Sequence, residues 1–319
     1  MANSERGGGG GGGEKGQIED LRTGKEENDN SPENKPVQTK PKTFVEVTIV
    51  GKDKEGIVAD TTNYIFKQGG NIEKINQNVV KGLFGMHLEA SFQAIDKNKM
   101  KSDLDTLGRK LQMEVKVHLH EENKVKNVAI LVSKEDHCLL KILNSHIAGE
   151  INCNISLIIG SDEKLKPIAE SFAVPYFYVN HTEQSVAEME ILQLIERFDI
   201  DLIVLARYMR ILTPNFVWRY PNRIINIHPS LLPAFPGAFA YVQAYERGAK
   251  IIGCTAHFVT EDLDQGPIIV QESFKVLQDD TLETIKVKGQ VAEAFALFEA
   301  VKLFLEDKLE VNWGKVSYK

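Results

Sequence analysis

Cysteine is scarce in this 319-residue chain: there are three, Cys138, Cys153 and Cys254, odd in number and far apart. That excludes a disulfide framework and fits a reducing compartment. With no CxxC pair, a structural zinc site is not expected. Long hydrophobic runs are missing as well. The longest apolar stretches are strand-sized pieces such as Leu202 to Ala206, far short of the roughly 20 residues a membrane helix needs, so no membrane partner is expected. The N-terminal end carries no apolar segment of the kind that directs secretion, and it is too acidic for an organellar transit sequence. A cytoplasmic protein is expected. Basic residues are not in excess: 38 Lys plus Arg stand against 45 Asp plus Glu, a net charge of −7. This excludes the positive footprint of a nucleic-acid binder.

What remains, 42% hydrophobic and 26% charged, is the profile of a globular protein. The first 40 residues depart from it. They hold nine of the 24 glycines, seven in one run from Gly7 to Gly13, and only five apolar residues. Such a segment cannot bury enough surface to offset its ordering entropy, so residues 1–42 are read as a disordered tail. The glycine run is not a phosphate loop, because no strand precedes it and no helix follows.

Residues 43–122 form a first unit. Phe44 to Val50 alternates apolar and polar, the pattern of a half-buried strand. Ile57, Val58, Ile65 and Phe66 recur at helical spacing, and Gly69-Gly70 stops that helix. Asn71 to Val80 and Leu83 to about residue 94 predict two strands joined by a Lys81-Gly82 turn. Asp96 to Lys110 predicts a helix, and Met113 to His120 alternates again. The order βαββαβ predicts a ferredoxin-like sandwich. With Gly56-Ile57 after the first strand and Gly69-Gly70-Asn71-Ile72 at the helix-to-strand junction, the unit resembles the ACT domain, a small regulatory module. That resemblance implies an amino-acid effector, glycine or methionine, and pairing into a homo-oligomer; subunit packing alone is the competing role. His118 and His120 share a strand face, but no third ligand is apparent and no metal site is expected.

Residues 123–319 read differently. Strands are predicted at 127–132, 154–159, 176–179, 201–206 and 224–227, alternating with helices at 137–148, 163–172 and 184–198. This predicts a doubly wound, mostly parallel α/β sheet. Ligands in such sheets sit beyond the carboxyl ends of the strands, which directs attention to two segments. Asn226-Ile227-His228-Pro229-Ser230-Leu231-Leu232-Pro233 ends a strand with Asn226 and His228 on one side, able to polarise a carbonyl and hold an oxyanion. A His in a tight turn is the bland alternative. A strand through His257 then runs into Thr260-Glu261-Asp262-Leu263-Asp264-Gln265-Gly266. One of its clustered acids, held near a His, is expected to have a raised pKa and act as a base; a solvated acidic loop is the alternative. The sequons at Asn154 and Asn180 mean nothing without secretion.

Together, the 226–233 and 257–266 motifs and Ala206-Arg207-Tyr208-Met209-Arg210-Ile211-Leu212 resemble the formyl-transferring folate enzymes in order and spacing. Ser133-Lys134-Glu135-Asp136-His137-Cys138-Leu139 after the first strand, and the ACT-like unit in front, resemble the formyltetrahydrofolate deformylases within that group. The resemblance implies hydrolysis of 10-formyltetrahydrofolate to formate and tetrahydrofolate, with the folate as substrate and no cofactor or metal. It implies Asp264, His228 and Asn226 as catalytic groups. Asp264 would activate water, Asn226 and His228 would stabilise the oxyanion, and His257 would support Asp264. Arg210, Ile211, Leu212, Thr260, Glu261 and Asp262 would hold the pterin. Two positions depart from the deformylase pattern: Pro229 stands where a second His is usual, and Pro236 where a Lys is usual. A folate-dependent formyltransferase of the glycinamide ribonucleotide type, and a catalytically inactive amino-acid sensor, therefore stay open as alternatives.

Overall fold

The structure is a computed structural model and describes residues 42–119, 124–237 and 239–319. The 1–42 tail, apart from its last residue, lies outside the described residues, as does His120. Alternation builds the first unit. In β1 (Thr43–Lys52), Val45, Val47 and Ile49 are fully buried, while the residues between them face the other way. After α1 (Ile57–Lys67) come β2 (Asn71–Val80) and β3 (Leu83–Phe92), then α2 (Lys97–Leu111), capped by the Asp96 carboxylate on the Lys99 N–H, and β4 (Glu114–Leu119). The four strands are antiparallel in the order β2-β3-β1-β4, and both helices contribute to a core on one face. The expected βαββαβ sandwich is present.

The second unit is a seven-stranded sheet in the order β11-β10-β9-β8-β5-β6-β7. Five strands run parallel: β5 (Lys126–Val132), β6 (Cys153–Gly160), β7 (Tyr176–Tyr178), β8 (Leu202–Ala206) and β9 (Ile224–His228). β10 (Ile251–Phe258) and β11 (Ile268–Lys275) add antiparallel strands at one edge. The central strands are apolar throughout because both faces are covered. Val128, Ile130 and Val132 enter one core with α3 (His137–Ile147), while Ala129 and Leu131 enter the other with α5 (Gln184–Arg197).

Several elements differ from the sequence-based expectation or have no counterpart in it. The single helix over 163–172 is a 3₁₀ turn at 163–165 followed by a six-residue α4 (Lys166–Ser171), with Pro167 in its first turn, where a missing N–H costs nothing. The longest helix, α8 (Leu282–Leu305), has no counterpart in that expectation: its residues are apolar on so many sides that no single face stands out. It packs against β10, β11 and α3. Short helices α6 (Pro214–Val217) and α7 (Ala240–Glu246) and a terminal hairpin, β12 (Leu309–Asn312) and β13 (Lys315–Tyr318), complete the chain. Among the described residues no helix is long and apolar enough to cross a membrane.

The uncovered face of the ACT-like sheet lies against the segment that leads into β9. Arg219 forks onto Glu114 at 2.6–3.1 Å, Arg223 pairs with Glu46 at 2.5 Å, and Lys116 donates to the Tyr220 hydroxyl at 3.1 Å. Gly85 is required at this contact because a Cβ there would overlap the Trp218 ring.

Candidate active site

β9 ends on the candidate pair Asn226 and His228. Period two places Asn226 and His228 on the same face of the strand, and the antiparallel register sets Asn226 opposite His257 on β10. The His257 ring is fixed by its surroundings. Its Nδ1–H donates to the Phe258 carbonyl at 2.9 Å, so Nε2 is left as an acceptor and takes one N–H of Asn226 at 3.2 Å. That orients the Asn226 amide and leaves its second N–H for a ligand. Burial pushes the His257 pKa down, which keeps the neutral acceptor form.

His228 is 5% exposed. Its Nε2 lies 3.1 Å from the Phe235 carbonyl and its Nδ1 3.3 Å from Asp264 Oδ2. Both ring nitrogens thus face oxygen atoms. Asp264 adopts φ 56 in the loop after β10, and its carboxylate also accepts the Gly237 N–H at 3.0 Å. Burial alone would raise its pKa. The His228 hydrogen bond and charge, with the Gly237 N–H, outweigh burial and hold the carboxyl below its ordinary range. This corrects the expectation of a raised pKa: the partner His and the backbone donor win over burial. Gly266 closes the loop against the Phe258 carbonyl oxygen, where any Cβ would overlap.

The remaining predicted residues are placed as follows. Leu212 is buried in the core beneath the 207–212 loop, while Arg210 and Ile211 are exposed. Thr260 Oγ1 caps the Asp262 carbonyl at 3.2 Å, and Glu261 accepts a hydrogen bond from Asn78 of β2 at 2.8 Å. His257 meets Asn226 and the Phe258 carbonyl; neither ring nitrogen is hydrogen-bonded to Asp264. A cleft of about 840 Å³ runs between α5, Thr213–Asn215 and the β2–β3 turn, and the Asn226–His228–Asp264 group does not line it.

Sequence reasoning missed how the 206–212 loop is tethered. Tyr208 and His181 share a short hydrogen bond, and the Met209 N–H donates to Ser133 Oγ at 3.0 Å. Gln184 donates to the Ile211 carbonyl at 2.7 Å. Arg207 forks onto Glu135 and reaches buried Glu293, which also meets His137 Nε2 at 3.0 Å and the Tyr241 hydroxyl at 2.6 Å. The available signal was Glu293 itself, an acid set in the apolar Val291–Phe298 stretch of α8. His137, Cys138 and Glu293 bring potential ligand atoms within 4.8 Å. However, the Arg207 guanidinium sits 3.3 Å from Glu293, and burial raises the Cys138 thiol pKa. This chemistry is an ion-pair network rather than a cation site.

Family models match in two places: ACT domain over residues 43–118 and formyl transferase over residues 126–301. The chain is 40% identical to a formyltetrahydrofolate deformylase of Bacillus subtilis over 270 residues, 82% of this chain and 89% of that one. It is 39% identical to the Synechocystis protein of the same name, over 81% of this chain and 92% of that one. The chain belongs to the formyltetrahydrofolate deformylase family. A crystal structure of a deformylase from Pseudomonas syringae superposes with a TM-score of 0.61 at 31% identity, covering 87% of this chain and 94% of that one. A glycinamide ribonucleotide transformylase from Symbiobacterium toebii gives 0.59 at 32% identity, covering 63% of this chain and 97% of that one. The deformylase match takes in the ACT unit as well as the sheet.

Proposed function

We propose that this chain hydrolyses 10-formyltetrahydrofolate to formate and tetrahydrofolate. The observation that carries the reading is the Asp264 carboxylate held 3.3 Å from His228, beside an Asn226 amide with one free N–H, in a chain that aligns with deformylases over both of its units. The ionised Asp264 orients and polarises a water for attack on the formyl carbon. The oxyanion that develops is met by Asn226 and His228. Collapse breaks the bond from the formyl carbon to N10; one proton from water ends on N10 and formate leaves, releasing a proton to solvent at neutral pH. Arg210, Ile211, Leu212 and the Thr260–Asp262 stretch hold the pterin, and no cofactor is required.

Residues 43–122 act as the regulatory unit and 123–319 as the catalytic one. We infer an amino-acid effector of the glycine or methionine kind at the ACT unit, a homo-oligomer, and a cytoplasmic setting supported by three free, buried thiols. The activity supplies formate for purine synthesis and balances the one-carbon pool.

Formate release from 10-formyltetrahydrofolate, with and without glycinamide ribonucleotide, tests the reading. Release with water as sole acceptor is expected. Formyl transfer only when the amine is present would make it a transformylase, and folate unchanged after prolonged incubation would make it a sensor.

A further inference from the structure

Two residues at the start of α5 are turned toward the loop that follows β8. Gln184 and Glu188 stand four apart and so share one helix face. Glu188 is only 5% exposed, and a carboxylate so buried must be met by donors. One residue supplies two of them: the Thr213 N–H donates to Oε1 at 2.8 Å, and the Thr213 hydroxyl donates to Oε2. Gln184 Nε2 donates to Glu188 Oε1 at 3.2 Å and to the Ile211 carbonyl at 2.7 Å. The loop is thus gripped on both sides of Leu212, whose side chain enters the core. Thr213 shows what the grip displaces. It occupies the N-cap position of α6, with Pro214 following. A threonine there ordinarily turns its oxygen to the N–H groups of the first turn; here the hydroxyl turns to Glu188 instead. Pro214 adds to the constraint, because the residue before a proline is held extended, as Thr213 is at φ −75 and ψ 158.

We propose that Gln184 and Glu188 are positioning residues that set folate affinity by fixing the 207–213 backbone. The inference rests on the reading above in which Arg210, Ile211 and Leu212 hold the pterin. On this loop Met209 and Ile211 are 61% and 64% exposed, apolar side chains held out to solvent on a pinned backbone. A flat ring with donors and acceptors on its edge binds tightly where the backbone groups that meet it are already in place, because ordering them on binding costs affinity. Gln184, Glu188 and Thr213 line the cleft toward the β2–β3 turn, whereas residues 207–212 and the Asn226–His228–Asp264 group do not. The two side chains therefore reach a ligand of the loop through its backbone and touch no reacting atom. Their loss falls on KM and not on kcat.

Steady-state formate release and equilibrium binding of tetrahydrofolate, measured on the full chain and on Gln184→Ala, Glu188→Gln and Thr213→Val, test the proposal. Thr213→Val keeps the side-chain shape, removes only the hydroxyl and leaves Glu188 two donors, so it decides the matter if Glu188→Gln does not fold. Each variant is expected to raise KM for 10-formyltetrahydrofolate and Kd for tetrahydrofolate about tenfold, the effect of one hydrogen bond to a charged group. The kcat is expected to stay within about twofold of the wild type, as when an interaction common to ground and transition states is lost. Unchanged KM and Kd in variants whose melting temperature falls would make the grip purely structural and overturn the proposal. A fall in kcat at unchanged KM would overturn it as well, since the groups would then act on the reaction and not on binding. If the wild type releases no formate, the hydrolytic reading fails instead, while the Kd ratios for tetrahydrofolate still decide the role of the grip.

Discussion

Replacing Asn226 by Ala removes one preorganised donor from the proposed oxyanion site. The donor's orientation comes from a short chain of hydrogen bonds: Phe258 carbonyl to His257 Nδ1–H at 2.9 Å, and His257 Nε2 to Asn226 Nδ2–H at 3.2 Å. Because the amide is already aimed, it need not reorganise as charge develops. Losing such a donor costs about 100- to 1,000-fold in rate, or roughly 2.7–4 kcal/mol of barrier. The fold should suffer less. Asn226 is half-buried, and its removal forfeits one net hydrogen bond, about 1 kcal/mol, and leaves His257 Nε2 without a donor, about 1–3 kcal/mol more. A drop of several degrees in melting temperature, with a native-like folded state at assay temperature, is expected.

The assay is formate release at saturating folate, read beside thermal denaturation. Asn226→Asp sharpens it. That variant keeps the side-chain shape, but it sets a carboxylate against both the oxyanion and the His257 acceptor, so it should be at least as slow as Asn226→Ala. A folded Asn226→Ala enzyme within tenfold of the wild type, or an Asn226→Asp enzyme that is faster than Asn226→Ala, would refute the donor role.

Asp264→Asn should lose most turnover while keeping folate affinity, measured by equilibrium binding; near-normal turnover would exclude the carboxylate from the reaction. The acid side of the pH–rate profile should begin below the ordinary histidine value of 6.5, because burial depresses His257 and its protonation turns Nε2 into a donor facing the Asn226 N–H groups. The same sign governs stability. The unfolded His binds its proton first, so this contribution is present above 6.5 and lost as pH falls through the lower folded value. The Asp264 contribution is likewise present above 3.8 and lost below it. A melting temperature that stays flat as pH falls below 6.5 would contradict the His257 assignment. Glu293→Gln breaks a buried pair and should cost about 3 kcal/mol; an unfolding free energy from urea titration unchanged within about 1 kcal/mol would show that the network does not hold the fold together.

The elements that position the chemistry are legible where local pattern decides. Alternation marks β1 and β9, apolar runs mark the covered strands of the sheet, and strand polarity places Asn226 and His228 at an open carboxyl end. What is not legible depends on partners distant in sequence. The clustered acids at 261–264 argue for a raised pKa until His228 and the Gly237 N–H are seen on the Asp264 carboxylate. The hydrogen bond from Asn226 to His257 is set by antiparallel register, and register across a crossover cannot be counted from spacing; the charge interaction of His257 with Asp264 comes on top of it. Glu46 and Glu114 lie in strands as ordinary polar positions; only the docked sheet makes them partners of Arg223 and Arg219.

That docking bears on control. Arg219, Tyr220 and Arg223 meet the ACT sheet, and Arg223 directly precedes β9, which carries Asn226 and His228. Asn78 of the same sheet reaches Glu261, three residues from Asp264. Both segments that hold the proposed reacting groups are therefore in polar contact with the ACT unit. Each contact is partly exposed and modest alone, so the docked arrangement can be biased by the roughly 1–3 kcal/mol typical of coupling between sites. An effector can move the catalytic groups only through a difference in its affinity for two arrangements of this interface. If it changes folate affinity by some factor, folate must change effector affinity by the same factor. The short polar contacts on Arg219, Arg223 and Asn78 are where that difference would arise, because they are the connections from the ACT sheet to the strand and loop that assemble Asn226, His228 and Asp264.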